Sequence, residues 1–120
     1  MSSSLSFDTS YETFHESVIQ ASFTRLILVD IWADWCAPCL VLAPVLDLAL
    51  KDYGGTIALA KLDVDQGENM KIAGRYKVRG FPTVIAFFQG EEKARFHGAK
   101  SKTEVRSFIE SLMSDINRNR

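Results

Sequence analysis

Apolar runs and apolar stripes alternate along the chain, and the switches between them predict alternating strands and helices. Leu26-Ile27-Leu28-Val29-Asp30-Ile31, closed by Trp32, is an aliphatic run broken by a single acid and reads as a buried strand. Ile57 to Val64 reads as a central strand and Thr83 to Phe88 as a third. Gln89-Gly90-Glu91-Glu92 then turns the chain into Lys93-Ala94-Arg95-Phe96, an alternating partner strand. Leu5-Ser6-Phe7 is short and alternating, as an edge strand would be.

Helical spacing fills the intervals. Thr9 and Glu12 stand at capping-box spacing before Tyr11, Phe14, Val18 and Ile19, which make one apolar face up to about Ala21. Leu40, Val41, Val45, Leu46, Leu48 and Ala49 predict a helix to about Tyr53, stopped by Gly54-Gly55 and bent at Pro44. A further helix spans about Glu68 to Tyr76, with Met70, Ala73 and Tyr76 turned inward. Ser101 and Glu104 form another capping box before the stripe Val105, Phe108, Ile109, Leu112 and Met113, and polar Ser114 to Arg120 is expected to fray. Strands alternating with helices, then a hairpin and a last helix, imply an α/β three-layer sandwich.

Composition narrows the function classes. The 120 residues are 47% hydrophobic and 24% charged, ordinary values for one globular domain, without repeats or low-complexity tracts. A net charge of −1, with charges dispersed, gives no electrostatic reason for nucleic acid or an anionic membrane as partner. No apolar run approaches membrane-spanning length, and Met1-Ser2-Ser3-Ser4 has neither a basic nor an apolar leader region. A reducing cytoplasm is therefore the expected location, where paired cysteines are more often redox-active than structural.

The chemistry centres on Trp35-Cys36-Ala37-Pro38-Cys39, which holds both cysteines at the junction of a predicted strand and helix. Cys36 should lie at the helix N-terminus, where free N–H groups and the helix dipole favour a thiolate, with Cys39 one turn inside on the same face. A structural bridge closing so short a loop would remove little unfolded-state entropy. Zinc would need further ligands, and only His15 and His97, isolated along the chain, remain. A redox pair is the reading these residues favour, with no metal. Asp30 shares a strand face with Leu28 and Trp32, so it is either a costly buried acid or a strand-end acid reaching water.

Asp30-Ile31-Trp32-Ala33-Asp34-Trp35-Cys36-Ala37-Pro38-Cys39, with Pro44 and then Val78-Arg79-Gly80-Phe81-Pro82-Thr83, resembles the thioredoxin family from about Leu5 to Leu112. The resemblance implies a thioredoxin fold with a central mixed five-stranded sheet, a domain over 4–115 and a polar tail over 116–120. It implies a thiol–disulfide oxidoreductase that reduces protein disulfides through a Cys36/Cys39 cycle, with Cys36 as nucleophile. It makes Asp30 a buried acid that helps move the proton of Cys39, usually through water, and Lys61 its buried cationic neighbour. It makes the Phe81–Pro82 bond cis and turns it toward the cysteines. Phe81 would then pair with an extended substrate segment, and Trp35, Ala37, Pro38, Phe81, Pro82, Gly98 and Ala99 would form an apolar docking rim. No bound cofactor is implied: the partners are disulfide-containing client proteins and a flavoprotein thioredoxin reductase drawing on NADPH, and a monomer is expected. Leu40 departs from the lysine common after the second cysteine, and Ala37 from the commoner glycine. Leu40, Leu42-x-Pro44-x-Leu46 and Leu59 to Asp63 are also similar to thioredoxin-like client-binding domains of co-chaperones, which gives the alternative reading.

Overall fold

A computed structural model describes residues 6–118. Five strands form one mixed sheet in the order β1-β3-β2-β4-β5. They are β1 (Ser6–Asp8), β2 (Leu26–Trp32), β3 (Ile57–Asp63), β4 (Thr83–Phe88) and β5 (Glu91–His97). β1 and β2 run parallel to β3, whereas β4 and β5 run antiparallel to their neighbours. β2 lies at the centre and is buried along nearly its whole length, as its aliphatic run requires, and Asp30 is buried with it. Leu5, expected in β1, lies outside the described residues.

Alternation along β2 sends odd and even positions to different cores. Ile27, Val29 and Ile31 pack with Phe14, Val18, Ile72 and Phe87 on one face. Leu26 and Leu28 pack with Leu42, Leu46, Val105, Ile109 and Leu112 on the other, covered by α1 (Ala37–Lys51) and α3 (Lys102–Arg118). Phe14, Tyr76 and Phe87 meet as an aromatic cluster with centroids 5.3–5.8 Å apart. The expected three layers are therefore present.

Several elements differ from the sequence expectation. The first helical segment is a π-helix over His15–Gln20 followed by a 3₁₀ turn over Ala21–Phe23. Its start is not closed by Thr9 and Glu12. Ser10 and Thr13 do this instead: the Ser10 N–H donates to Thr13 Oγ1 and the Thr13 N–H to Ser10 Oγ. Thr9 is held back by the sheet, its N–H donating to the Lys61 carbonyl. α2 (Met70–Arg75) is shorter than expected, and Met70 is exposed while Ile72 takes the inward place beside Ala73. Asn69 explains this register, because its Oδ1 accepts from the Tyr11 N–H and its Nδ2 donates to the Asp63 carbonyl. The last helix does not fray at Ser114 but continues to Arg118, with Ile116 packed against the core.

α1 runs unbroken through Pro44 and ends at Lys51, just before the Gly54-Gly55 stop. Gln89-Gly90 turns the β4–β5 hairpin with both residues at positive φ. The positive φ at Gly90 favours glycine there, and a side chain at this position would also have to displace the exposed Phe23 ring, 2.8 Å away.

Candidate active site

β2 ends at Trp32, at the carboxyl end of the central strand, and α1 starts shortly after it from Cys36. Cys36 is the N-cap residue, with extended backbone angles (φ −100°, ψ 104°). Its N–H donates to the Ala33 carbonyl, and its Sγ faces the Cys39 N–H at 3.3 Å. Pro38 stands in the first turn and brings no N–H of its own, and no acidic side chain stands there. The positive end of α1 is thus aimed at one sulfur, with no carboxylate from that turn competing for it.

Cys36 and Cys39 form a disulfide with Cα atoms 5.3 Å apart. Cys36 keeps 6% of its surface exposed and Cys39 1%, so Cys36 is the sulfur an approaching molecule meets first. Its Sγ lies 3.5 Å from the Phe81 carbonyl oxygen. Among the described residues, no three His, Cys, Asp or Glu side chains gather closely enough to hold a metal ion.

Beneath the site, the β2–β3 register sets Asp30 opposite Lys61. Asp30 is 1% exposed, which decides between the two readings its strand position allowed. Its carboxyl pKa rises from an ordinary 3.8 to about 6, chiefly because burial disfavours the charge. Lys61 opposes the rise, and Asp47 on α1 adds to it. The Lys61 Nζ lies 4.0 Å from Asp30 Oδ2, and neither Asp30 oxygen has a hydrogen-bond partner among the described residues. Lys61 is not fully buried as expected: its side chain is 22% exposed, and its Nζ sits 5.4 Å over the Trp32 ring. It therefore spans the boundary between the buried acid and solvent. Asp30 makes no direct hydrogen bond to either cysteine.

Trp35 and Ala37 flank Cys36 in the chain, Pro38 precedes Cys39, and Phe81 approaches Cys36 through its carbonyl. The Phe81–Pro82 peptide is cis. Trp35 is 65% exposed and meets Phe81 edge-to-face at 6.0 Å. Ala37, Pro38 and Ala99 are exposed, Phe81 and Gly98 half-buried, and Pro82 buried. The Gly98 N–H donates to the Pro82 carbonyl at 2.9 Å, which ties the loop after β5 to the proline loop.

Three bracing roles escaped the sequence reading, in which Thr83 stands only within the proline motif and His97 only as an isolated histidine. Asp65 accepts from Trp35 Nε1 at 2.8 Å and fixes the exposed indole. Thr83 donates its hydroxyl to the Gly80 carbonyl at 2.7 Å, leaving the oxygen to accept from His97 Nδ1 at 3.1 Å. Their only sequence signals are position, an acid just past a strand and a hydroxyl just past a proline.

Comparison with known proteins agrees with this geometry. The thioredoxin family model matches residues 6–111. The chain is 39% identical over 99 residues to a thioredoxin of Pseudomonas aeruginosa, covering 82% of this chain and 88% of that protein. It is 34% identical over 102 residues to a thioredoxin of Acidithiobacillus ferridurans, with 85% and 91% covered. With an M-type chloroplastic thioredoxin of Spinacia oleracea it shares 37% over 107 residues, 89% of this chain and 57% of that one. With the family model matched over most of its length and relatives above 30% identity covered nearly end to end, the chain belongs to the thioredoxin family of thiol–disulfide oxidoreductases.

Proposed function

We propose that the chain reduces disulfides in other polypeptides, with Cys36 as the attacking sulfur and Cys39 as the resolving one. The observation that carries this reading is the Cys36 Sγ at the N-terminus of α1, with the Cys39 N–H directed at it. In the dithiol form, the Cys36 thiolate attacks one sulfur of a substrate disulfide. The substrate S–S bond breaks, the departing thiolate takes up a proton, and a mixed disulfide remains. Cys39 then gives up its proton toward Asp30 and attacks Cys36 Sγ, expelling the second substrate thiolate, which is protonated in turn. Two electrons and two protons pass to the substrate, and the Cys36–Cys39 bond forms again.

Asp30 suits the acceptor role because a group titrating near 6 can take and return a proton around neutral pH. Without a direct bond to Cys39, it acts through an intervening water, and Lys61, reaching solvent, links it to the outside. Trp35, Ala37, Pro38, Phe81, Pro82, Gly98 and Ala99 form the rim on which the substrate segment lies. No group need be bound: an external flavoprotein thioredoxin reductase using NADPH resets the pair. The chain acts as a monomer in the cytoplasm. No helix of the described residues is long and apolar enough to cross a membrane.

Reduction of insulin disulfides, set beside suppression of client aggregation by a Cys36→Ser, Cys39→Ser form, tests the reading. Insulin reduction by the wild type with no protection by the double variant is expected. Protection without reduction would make the chain a client-holding domain instead.

A further inference from the structure

We propose that the outer face of α1 is a docking lane for an apolar stretch of the substrate chain next to its reacting cysteine. This rests on the reduction of polypeptide disulfides at Cys36. Ala37, Leu40, Val41, Pro44 and Leu48 all lie exposed on α1. Their spacing puts them in one stripe, since positions three and four apart share a helix face. The large members are far from buried: Leu40 is 53% exposed, Val41 60% and Leu48 51%.

Position and charge say what covers this stripe. It begins beside Cys36, which any disulfide substrate must approach, and so it continues the surface that the substrate has to cover. α1 carries no charged residue before Asp47, and Lys51 follows one turn later. The lane from Ala37 to Leu48 is about 16 Å long at a rise of 1.5 Å per residue. That matches about five residues of extended chain. A charged segment laid over Ala37, Leu40, Val41 and Pro44 would lose water and meet a charge only at the far end, where Asp47 borders the stripe, whereas an apolar one would release water from both surfaces. A second copy of this chain is a poorer occupant. The half-exposed side chains offer a few hundred Å², against ~800 Å² per partner in a stable interface.

Two synthetic disulfide peptides, alike around the cysteine, test the lane. One carries five apolar residues after the cysteine and the other five serines and glutamines. The wild type should reduce the apolar peptide with kcat/KM about tenfold higher. A Leu40→Gln, Val41→Gln, Leu48→Gln variant, whose folding circular dichroism verifies, should bring that ratio close to one. Leu48→Lys alone, three turns from Cys36 and away from its sulfur, should cut the ratio about twofold or more. Equal rates for both peptides with the wild type, or an unchanged ratio in the triple variant, would overturn the lane while leaving disulfide reduction intact. A wild type that reduces neither peptide would instead remove the reading on which the lane rests. A dimer in sedimentation that the same substitutions dissolve would assign the stripe to a second copy and overturn the proposal.

Discussion

The N-termini of α1 and α3 solve the same problem in opposite ways. Each helix begins with backbone N–H groups that no earlier carbonyl can satisfy. At α3 side chains fill the need: the Glu104 N–H donates to Ser101 Oγ at 3.1 Å, and the Ser101 N–H donates to Glu104 Oε1 at 2.9 Å. The bond from the Ser101 N–H, first among the influences of Ser101, holds the Glu104 carboxyl below its ordinary pKa, the mark of a carboxylate stabilised where it sits. At α1 the cap is a sulfur, and no acid stands in the first turn. The same dipole that stabilises α3 permanently is left at α1 for a thiolate that exists during only part of a redox cycle. One helix end serves the fold and the other the chemistry.

Removing the sulfurs breaks this contrast most completely. Cys36→Ser should abolish disulfide reduction and trap no substrate, whereas Cys39→Ser should accumulate mixed disulfides that non-reducing gels resolve. Trapping through Cys39 in the Cys36→Ser protein would reverse the roles.

Asp30 gives the next largest effect. An acid whose folded pKa is raised binds more protons in the folded than in the unfolded state between about pH 4 and 6. Stability therefore falls as pH rises through that window, and the cost is complete above it. A rise from 3.8 to about 6 corresponds to about 3 kcal/mol at 1.36 kcal/mol per unit. Asp30→Asn should be more stable than the wild type by about that amount at pH 8, and by little at pH 4, in urea titrations. It should also slow resolution of the mixed disulfide. Equal stability at both pH values would show that the acid is solvated.

The two caps can also be exchanged in kind. Ala37→Glu places in α1 the first-turn carboxylate it lacks, and should slow the attack step several-fold by competing with the thiolate for the dipole. Ser101→Ala should cost about 1 kcal/mol of stability and leave the reduction rate unchanged. A rate loss in Ser101→Ala would mean that the two ends are coupled.

What could be read in advance follows the same division. β2 and the α1 start were legible because an aliphatic run and a helical stripe meet at the cysteines. The α3 cap was legible because a capping box is local. Thr9 misled because the sheet already held its backbone, which moved the cap to Ser10 and Thr13. Met70 misled because Asn69, reaching to Tyr11 and Asp63, sets the register of α2 from outside it. The burial of Asp30 and the cis Phe81–Pro82 bond needed the family resemblance, since a period of two cannot tell a buried strand end from a wet one and an X-Pro bond is usually trans. Asp65, Thr83 and His97 act across loops, and no local pattern announces them.

Alkylation of the freshly reduced protein tests most directly whether α1 spends its N-terminus on Cys36. With limiting iodoacetamide over a range of pH, peptide mapping should find Cys36 modified first, and still reacting below the pH at which an ordinary thiol stops. Modification of Cys39 first, or a Cys36 profile like that of a free cysteine, would contradict the account.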